Sequence, residues 1–560
     1  MRLTFAVAQA TWYNSHISSE DRTMLEAYMD DRYLPIGKQN FRDIRENHYV
    51  YVDKTRYVWE LTRTTMPYFL SRPRRFGKSL FISTLYSFFS GEKELFKGLY
   101  IEDRENAKGD KAWTKYPIVY FSLSGGQYNS PIGLSDVLSY VIKDCIDKYG
   151  LDESAVMGQT LPVSFTNLIK RLYEKTGQQV VVLVDEYDKP LLSTMITNPD
   201  QEEKNRLLYK EFFSVLKDMD GYLRFVFFTG VTKFSKVSIF SDLNQLNDIS
   251  MDDDYSGICG ITEEELQDNF QEGIDELGKA NDLTKDEVLA KLKLKYDGYR
   301  FSRIVEGVYN PFSLLSAMDN RDFNNYWFST GTPTFLVKMM KRFHTDLTKL
   351  DGSEAGADDF DAPTENMHSV LPLFYQSGYL TIKGYDPILS NYTLGYPNEE
   401  VKVGLMHALL PFYVVKDPVE ARAAAGKMYL ALRKDDIGEA LEAARTFFAG
   451  IPYQEGTLQD APTSEGHFTA MLYVMFSFLN VYVYTQVRTA KGRMDILMKT
   501  DTTIYVMELK LDGTVEEALK QIDDKGYAIP YEADGRRIVK VGIRFSSEER
   551  TIVEWKIAAK

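Results

Sequence analysis

The chain of 560 residues has very few of the two side chains that most often build metal centres. It contains two cysteines, Cys145 and Cys259, and six histidines scattered along the sequence. Two cysteines cannot provide a disulfide framework for a chain of this length, nor the ligand cluster of a structural zinc site. We therefore expect a protein of a reducing compartment, the cytoplasm.

Long apolar runs are also missing. A membrane helix needs about 20 consecutive apolar residues, and the densest candidate, FTAMLYVMFSFLNVYVY, is interrupted by Thr, Ser and Asn. We expect no membrane span. The N-terminal MRLTFAVAQATW has too short an apolar stretch for a signal peptide. We treat residues 1–32 as an N-terminal extension, in which Met29 is an alternative start.

Positively charged side chains are outnumbered by negatively charged ones. The chain has 66 Lys and Arg against 81 Asp and Glu, which gives a net charge of −15. Such a balance argues against a protein coated with non-specific nucleic-acid contacts. The imbalance is uneven, because residues 481–560 hold 14 basic and 13 acidic side chains. The C-terminal end is thus nearly neutral.

At this length we expect three or four folding units. From residue 33 to about 260, short apolar runs alternate with helical patterns, which predicts a parallel α/β sheet with helices on both faces. Its strand runs are PYFL, YPIVYFSL, QQVVVLVDE and LRFVFFTG.

The remainder divides into three parts. Residues 261–450 are predicted to form a helical lid and a middle region that is winged-helix-like, because a helix precedes a hairpin there. Its segment DGSEAGADDFDAPTE is expected to be a solvated acidic loop. Residues 451–463 have the Pro, Gly, Ser and Asp content of a linker, and residues 464–560 form a C-terminal domain.

The segment RPRRFGKS, residues 72–79, matches half of a phosphate-binding loop. Gly77, Lys78 and Ser79 complete the pattern G-x-x-x-x-G-K-[ST], in which backbone N–H groups and the lysine hold phosphates and the hydroxyl binds Mg²⁺. The first half departs from it, because Arg72 replaces a glycine and Pro73 has no N–H group.

We still expect this loop to bind a nucleotide in an altered cradle. Three arginines can place guanidinium groups against phosphate oxygens. The predicted contacts are Arg72, Arg74, Arg75, Phe76, Gly77, Lys78, Ser79 and Leu80. The alternative is a basic surface turn with a chance GKS.

A second motif, VVVLVDEYDKP, is an apolar strand that ends in two carboxylates. Asp185 is predicted to hold Mg²⁺ together with Ser79, and Glu186 to orient or deprotonate the attacking water. The alternative is a solvated turn, which Asp188 and Lys189 would suit.

The next strand run ends in Thr229. A polar residue at that strand tip could sense the γ-phosphate of a nucleotide, and Lys233 could assist it. Equally, Thr229 could simply end the strand and Lys233 could be a surface charge.

These segments resemble the AAA-ATPase-like family common in Bacteroidetes, in which RPRRFGKS is the usual form of the loop. The resemblance implies ATP and Mg²⁺ as ligands. It also implies a lid that includes YDGYRF (296–301) and YNPFSLL (309–315). Pro311 is a candidate adenine contact, although proline is also common at the start of a helix.

The C-terminal domain contains a hairpin whose register can be predicted. If residues 494–499 and 504–510 pair around a turn between Asp501 and Thr502, Asp495 lies directly opposite Glu508. Two carboxylates with Cβ atoms about 5 Å apart repel each other unless a cation or a proton lies between them. Mg²⁺ or Mn²⁺ would serve, and Lys510 on the same face could position a water. The alternative is an ordinary solvated face.

The surrounding sequence, GRMDILMKTDTTIYVMELKLDGTVEEALKQI, resembles the PD-(D/E)XK nuclease superfamily. This resemblance implies an α-β-β-β-α-β restriction-endonuclease-like fold. It implies catalytic roles for Asp495, Glu508 and Lys510, a polar contact from Gln521, and a first-helix carboxylate at Glu465.

Our main hypothesis is an ATP-regulated, metal-dependent nuclease that acts on DNA rather than RNA, in defence against foreign DNA, and that can form a homo-oligomer. A rival hypothesis is a nucleotide-driven signalling or assembly switch whose nuclease-like domain is only a binding module. In a third, the ATP site alone is active.

Overall fold

A computed structural model describes residues 33–195, 197–233, 246–303, 306–327, 345–361, 369–413, 418–449, 482–489 and 491–559, with a few isolated positions between 336 and 476. The N-terminal extension, the proposed linker and Glu465 lie outside these residues.

The described strands are β1 (Pro67–Ser71), β2 (Ile118–Ser122), β3 (Val180–Asp185), β4 (Leu223–Gly230), β5 (Asn247–Asp248), β6 (Ser353–Gly356), β7 (Thr381–Asp386), β8 (Asn391–Gly395), β9 (Tyr482–Thr489), β10 (Gly492–Lys499), β11 (Thr503–Leu511), β12 (Arg537–Ser546) and β13 (Thr551–Ala559). The described α-helices are α1 (Phe41–Glu46), α2 (Thr55–Leu61), α3 (Lys78–Phe89), α4 (Ile101–Asn106), α5 (Gly133–Tyr149), α6 (Glu153–Val156), α7 (Leu161–Thr176), α8 (Lys189–Thr194), α9 (Pro199–Ser214), α10 (Glu263–Asn269), α11 (Gln271–Asn281), α12 (Lys285–Tyr296), α13 (Pro311–Asn320), α14 (Leu371–Gln376), α15 (Glu399–Tyr413), α16 (Pro418–Leu432), α17 (Ile437–Ala449) and α18 (Val515–Asp524).

The N-terminal sheet is parallel, in the order β2-β3-β4-β1-β5. All six residues of β3 are buried, as expected for a strand covered on both faces. Side chains of α5, α7 and α9 pack on one face, and those of α3 pack on the other. The predicted α/β architecture is confirmed. The loop at 72–79 follows β1, and Asp185 is the last residue of β3. These two strands are separated by β4, and because the sheet is parallel they end at the same edge.

The middle region begins with α10 to α13, whose buried side chains share one cluster. The predicted helix and hairpin are present as α14, β7 and β8. The segment DGSEAGADDFDAPTE is not simply a solvated loop, which corrects the prediction. Its residues Ser353–Gly356 form β6, which pairs with β8 because that strand has a free edge and Ala355 is buried there.

The C-terminal sheet has the order β13-β12-β11-β10-β9, in which only the pair β11 and β12 runs parallel. The helix α18 covers one face through Ala518 and Ile522. The sequence predicted these strands and this helix in the correct order. Within the described residues, none of the helices is both long and apolar enough to cross a bilayer.

The helix α17 packs on the C-terminal sheet although it precedes the proposed linker. The rings of Phe448 and Phe545 lie 6.0 Å apart, and the Thr551 hydroxyl donates to the Arg445 carbonyl oxygen at 3.1 Å. In the turn before α17, the carboxylate of Asp435 accepts hydrogen bonds from the hydroxyls of Thr502 and Thr503. The tip of the β10–β11 hairpin is therefore attached to the helical region.

Gly542 on β12 allows α18 to approach the sheet closely. A Cβ atom at this position would lie 2.5 Å from the carbonyl oxygen of Val515, the first residue of α18. A backbone oxygen cannot move aside without the helix, so a side chain at Gly542 would lift α18 off the sheet.

We expect Gly542→Val to lower the free energy of unfolding by about 1–3 kcal/mol, the usual effect of overpacking. Thermal and urea unfolding of the full chain would measure it. Gly426→Ala is the control, because a Cβ at Gly426 in α16 meets nothing within 4 Å and alanine favours the helix by about 0.5–1 kcal/mol. Unchanged stability of Gly542→Val would contradict this account of α18.

Candidate functional site

A cleft of about 660 Å³ opens at the carboxyl edge of the parallel sheet. The loop contributes Arg74, Arg75, Phe76, Gly77, Lys78, Ser79 and Leu80 to its wall. Glu186 lines it from the end of β3, and Pro311 and Phe312 from the start of α13. This volume suits a small organic ligand of nucleotide size.

Lys78 is the first residue of α3, after Gly77 in the left-handed conformation with φ 97°. The lysine is buried, and its ammonium donates to the carbonyl oxygens of Arg72 and Pro73, each at 2.9 Å. Burial lowers the pKa of Lys78, while the charge of Asp185 opposes that shift. The cation is thus held inside the loop, where a phosphate could compete with the two carbonyl groups for its N–H donors.

Asp185 and Thr229 are in contact. The Thr229 hydroxyl donates to Asp185 Oδ1 at 2.7 Å, and both side chains are buried. Thr229 therefore orients the carboxylate, and the predicted contact with a γ-phosphate stays a prediction.

Glu186 lines the cleft with φ 54°, a conformation that is uncommon for a residue with a side chain and that recurs at functional sites. Burial, followed by the negative charge of Asp185, raises the pKa of the Glu186 carboxyl. A raised carboxyl pKa suits a general base that works near neutral pH.

Two alternatives from the sequence are wrong. Asp188 is buried rather than solvated, and its Oδ2 accepts hydrogen bonds from the backbone N–H groups of Val231 and Thr232 at 3.0 and 2.7 Å. Lys233 is not a surface charge, because it is buried and its ammonium lies 2.9 Å from Asp248 Oδ2 in β5. Asp188 thus fixes the backbone of residues 231–232 directly after β4, and Lys233 is joined to β5.

Arg72 does not line the cleft, which corrects the prediction that its guanidinium meets a phosphate. The side chain is 1% exposed and lies 4.3 Å over the ring of Phe301. Its guanidinium donates to the carbonyl oxygens of Ser71, Ser250 and Tyr255 at 2.9, 2.7 and 3.0 Å. The arginine at the glycine position therefore fastens the loop to the chain after β5 and to the segment YDGYRF.

Three further loop residues contact the region after the sheet. The rings of Phe76 and Tyr299 lie 4.7 Å apart, and the Arg75 guanidinium lies 4.0 Å over the ring of Phe312. A Cβ at Gly378 would come within 2.8 Å of Pro73. Both segments that were expected in a lid, YDGYRF and YNPFSLL, thus touch the loop.

Pro311 begins a helix, as one interpretation of the sequence predicts, and its contact with an adenine stays a prediction. It occupies the first turn of α13, where the Asn310 side chain accepts hydrogen bonds from the backbone N–H groups of Phe312 and Ser313. It also lines the cleft.

The register predicted for the C-terminal hairpin is confirmed. Ile496 pairs with Met507 and Lys499 pairs with Ile504, so the next step places Asp495 opposite Glu508. Asp495 Oδ2 accepts a hydrogen bond from the backbone N–H of Leu509 at 2.9 Å. Both carboxylates are buried, which excludes the ordinary solvated face.

The sequence assigned five residues to this centre, of which Glu465 lies outside the described residues. Asp495, Lys510 and Gln521 come together around Glu508. Lys510 Nζ lies 3.3 Å from Glu508 Oε1, and the Gln521 side-chain amide donates to the same oxygen. The other oxygen, Oε2, is buried and has no hydrogen-bond partner among the described residues. Burial and the negative charge of Asp495 raise the pKa of the Glu508 carboxyl well above its ordinary range, and Lys510 opposes that shift.

This arrangement fits a divalent cation. A buried carboxylate oxygen without a hydrogen-bond donor, next to a second carboxylate, is the oxygen ligand set that Mg²⁺ or Mn²⁺ prefers. Within the described ranges, His, Cys, Asp and Glu side chains do not form a metal-holding group of three or more. A cation here would therefore rest on two carboxylates and complete its coordination with water.

Sequence reasoning missed two residues that shape the sites. The structural role of Asp188 had no signal apart from its place next to the acidic pair. Gly542 had one, since a glycine inside a strand pattern often marks the close approach of another backbone; it pairs in register with Glu508.

Comparison with known proteins finds two family matches along the chain. Residues 35–240 match the family described as "Predicted AAA-ATPase", and residues 463–555 match the PD-(D/E)XK nuclease superfamily. The chain therefore belongs to the AAA-ATPase-like family, with a PD-(D/E)XK nuclease superfamily domain at its C-terminal end. It is 36% identical over 534 residues to "Uncharacterized protein in vnfD 5'region" of Azotobacter chroococcum mcd 1, covering 94% of this chain and 98% of that protein.

We expect Arg72→Gly, which restores the glycine of the usual pattern, to destabilise the protein rather than to improve nucleotide binding. It removes a buried side chain and leaves three carbonyl groups without their donor, a loss of about 3 kcal/mol or more. Unfolding and nucleotide titration would measure the two effects. Arg74→Ala is the control, because Arg74 is exposed in the cleft and should change affinity but not stability. Unchanged stability of Arg72→Gly would contradict the fastening role.

We expect Glu508→Gln to raise the melting temperature of the metal-free protein, and to do so more at pH 8 than at pH 5. The folded state holds the Glu508 proton more tightly than the unfolded chain, so the free energy of unfolding falls as pH rises from the ordinary carboxyl range toward the raised pKa. Added Mn²⁺ should stabilise the wild type and not the variant. The exposed Glu549→Gln is the control, and an equal response of both variants to pH and Mn²⁺ would contradict the cation site.

Proposed function

We propose that the chain is an ATPase whose nucleotide state controls a metal-dependent phosphodiesterase centre in its C-terminal domain. DNA is the proposed substrate, Mg²⁺ or Mn²⁺ the proposed cation, and defence against foreign DNA the proposed role. The observation that carries the proposal is the buried pair of Asp495 and Glu508, with Lys510 and Gln521 on the same carboxylate.

In the ATP cleft, the backbone of residues 74–80 and the ammonium of Lys78 would bind the phosphates. Ser79 and Asp185 would hold Mg²⁺, with Asp185 oriented by the Thr229 hydroxyl. Glu186 would accept a proton from the attacking water, and its raised pKa supports that task.

In the C-terminal centre, a cation bound by Asp495 and Glu508 would lower the pKa of a coordinated water and neutralise charge on the phosphate. Lys510 would stabilise the negative charge that develops on the phosphate oxygens as the nucleophile attacks. Gln521 fixes the orientation of Glu508 through the hydrogen bond to its Oε1. Close packing of α18 over Gly542 holds that amide in place.

The contacts of the loop at 72–79 support the proposal that the nucleotide controls the C-terminal centre. Residues 72–76 touch the segments after β5, at the start of α13 and after α14. The buried apolar cluster then continues through the middle region to β10–β13. A change in the loop on nucleotide binding can therefore reach the C-terminal sheet through packed side chains.

The decisive experiment is cleavage of plasmid and single-stranded DNA by the full chain with Mn²⁺, with and without ATP. We expect cleavage to fall by about 100-fold or more in Glu508→Ala and in Lys510→Ala, while ATP hydrolysis is kept. Lys78→Ala should lose nucleotide binding and with it the effect of ATP on cleavage. Glu186→Gln should bind ATP but hydrolyse it slowly.

The rival role as a signalling or assembly switch predicts a different result. The folded wild type would then cleave none of these substrates, and it would change its oligomeric state with ATP in the same way as Asp495→Asn does. Light scattering with and without nucleotide distinguishes the two proposals. For the defence role, phage should plate less efficiently on cells that express the wild type than on cells that express Glu508→Ala.

A further inference from the structure

An arginine that belongs to none of the sequence motifs lies next to the Glu508 centre. Arg544 on β12 pairs in parallel register with Lys510 on β11, and Gly542 pairs with Glu508. Paired residues of neighbouring strands point to the same face about 5 Å apart. Arg544 and Lys510 therefore form a short basic row beside the acidic centre.

The Arg544 side chain is 37% exposed, and its contact is weak. Its Nε lies 3.3 Å from Glu554 Oε2, and the Glu554 side chain is itself half exposed. This Nε is buried and makes no hydrogen bond within the part of the chain that the structure describes. An ion pair of this exposure contributes little to stability, so the guanidinium can exchange Glu554 for a stronger anion.

Two other cations near this face are already neutralised by α18. Lys540 pairs with Asp523, and Lys556 pairs with Glu516 at 3.1 Å. Both carboxylates belong to the helix that carries Gln521. Arg544 instead pairs with a carboxylate on the edge strand β13, where a ligand along the sheet could displace it.

We propose that Arg544 contacts a backbone phosphate of the bound nucleic acid, next to the phosphate held by Lys510. The inference rests on the proposed nuclease function. A guanidinium matches a phosphate with two parallel N–H donors. Successive phosphates of a nucleic acid strand would place one charge at Lys510 and another within reach of Arg544, one strand further along the sheet. The contact positions the backbone and reads no sequence.

The test is binding of a fluorescent single-stranded DNA to the full chain, measured by anisotropy over a series of NaCl concentrations. The parent is Glu508→Gln, which keeps the shape of the side chain and should not cleave. We expect added Arg544→Ala to weaken binding about tenfold, as one charge-assisted hydrogen bond does. The slope of log K against log salt is negative, and it should become shallower by about 0.7. Added Arg544→Lys should keep the slope and lose part of the affinity.

Lys540→Ala in the same parent is the matched control, because it removes one positive charge from the same strand and face. Its slope should equal that of the parent. Thermal unfolding of each variant checks the fold, and Arg544→Gln replaces Arg544→Ala if the alanine lowers the melting temperature.

The outcomes separate this contact from the proposed hydrolysis. Equal slopes for the parent and for Arg544→Ala would overturn the contact, even if the wild type cleaves DNA. A changed slope without cleavage by the wild type would support the contact and reject hydrolysis. A parent that binds no DNA would overturn the contact, and cleavage by the wild type would still decide the hydrolysis separately. In a wild type that does cleave, Arg544→Ala should raise KM more than it lowers kcat.

Discussion

The buried guanidinium of Arg72 is the interaction on which the nucleotide cleft depends. It joins the end of β1 to the chain that follows β5 through three carbonyl oxygens, and it lies on the ring of Phe301. A glycine in its place could offer only its N–H group. The arginine thus makes the first half of the loop a junction with the middle region, and residues 74–80 are the part of the loop that lines the cleft. One substitution explains both the departure from the usual pattern and the contact between loop and middle region.

The C-terminal centre is governed by a different constraint. Its two carboxylates carry like charges, and burying them close together costs free energy. Asp495 and Glu508 are brought together by strand pairing and shielded from water, so one of them must hold a proton or both must share a cation. Lys510 and Gln521 satisfy one oxygen of Glu508 and leave the other without a hydrogen-bond donor. The fold therefore keeps an unpartnered carboxylate oxygen of Glu508 next to the charge of Asp495, and these surroundings raise the pKa of the Glu508 carboxyl.

Local patterns predicted most of the fold and about half of the site geometry. Strand runs, the turn at 501–502 and the order of the C-terminal elements follow from alternation and turn chemistry, which act over short distances. The register placed Asp495 opposite Glu508 because hairpin pairing is fixed by loop length. The partners of Arg72, Asp188 and Lys233 lie up to 183 residues away in sequence. A single sequence contains no signal for such distances. It therefore predicts a phosphate contact for Arg72, whose guanidinium instead fastens the loop through hydrogen bonds to carbonyl oxygens.

The position of α17 limits where the C-terminal domain can be cut from the chain or exchanged by recombination. Phe448 and Arg445 belong to the sheet that begins more than thirty residues later, although a composition typical of a linker intervenes. A cut within 451–463 would strip a helix from the sheet and expose its apolar underside to water. Recombination that exchanged only the tail would meet the same penalty, so a functional transfer has to begin upstream, before Asp435.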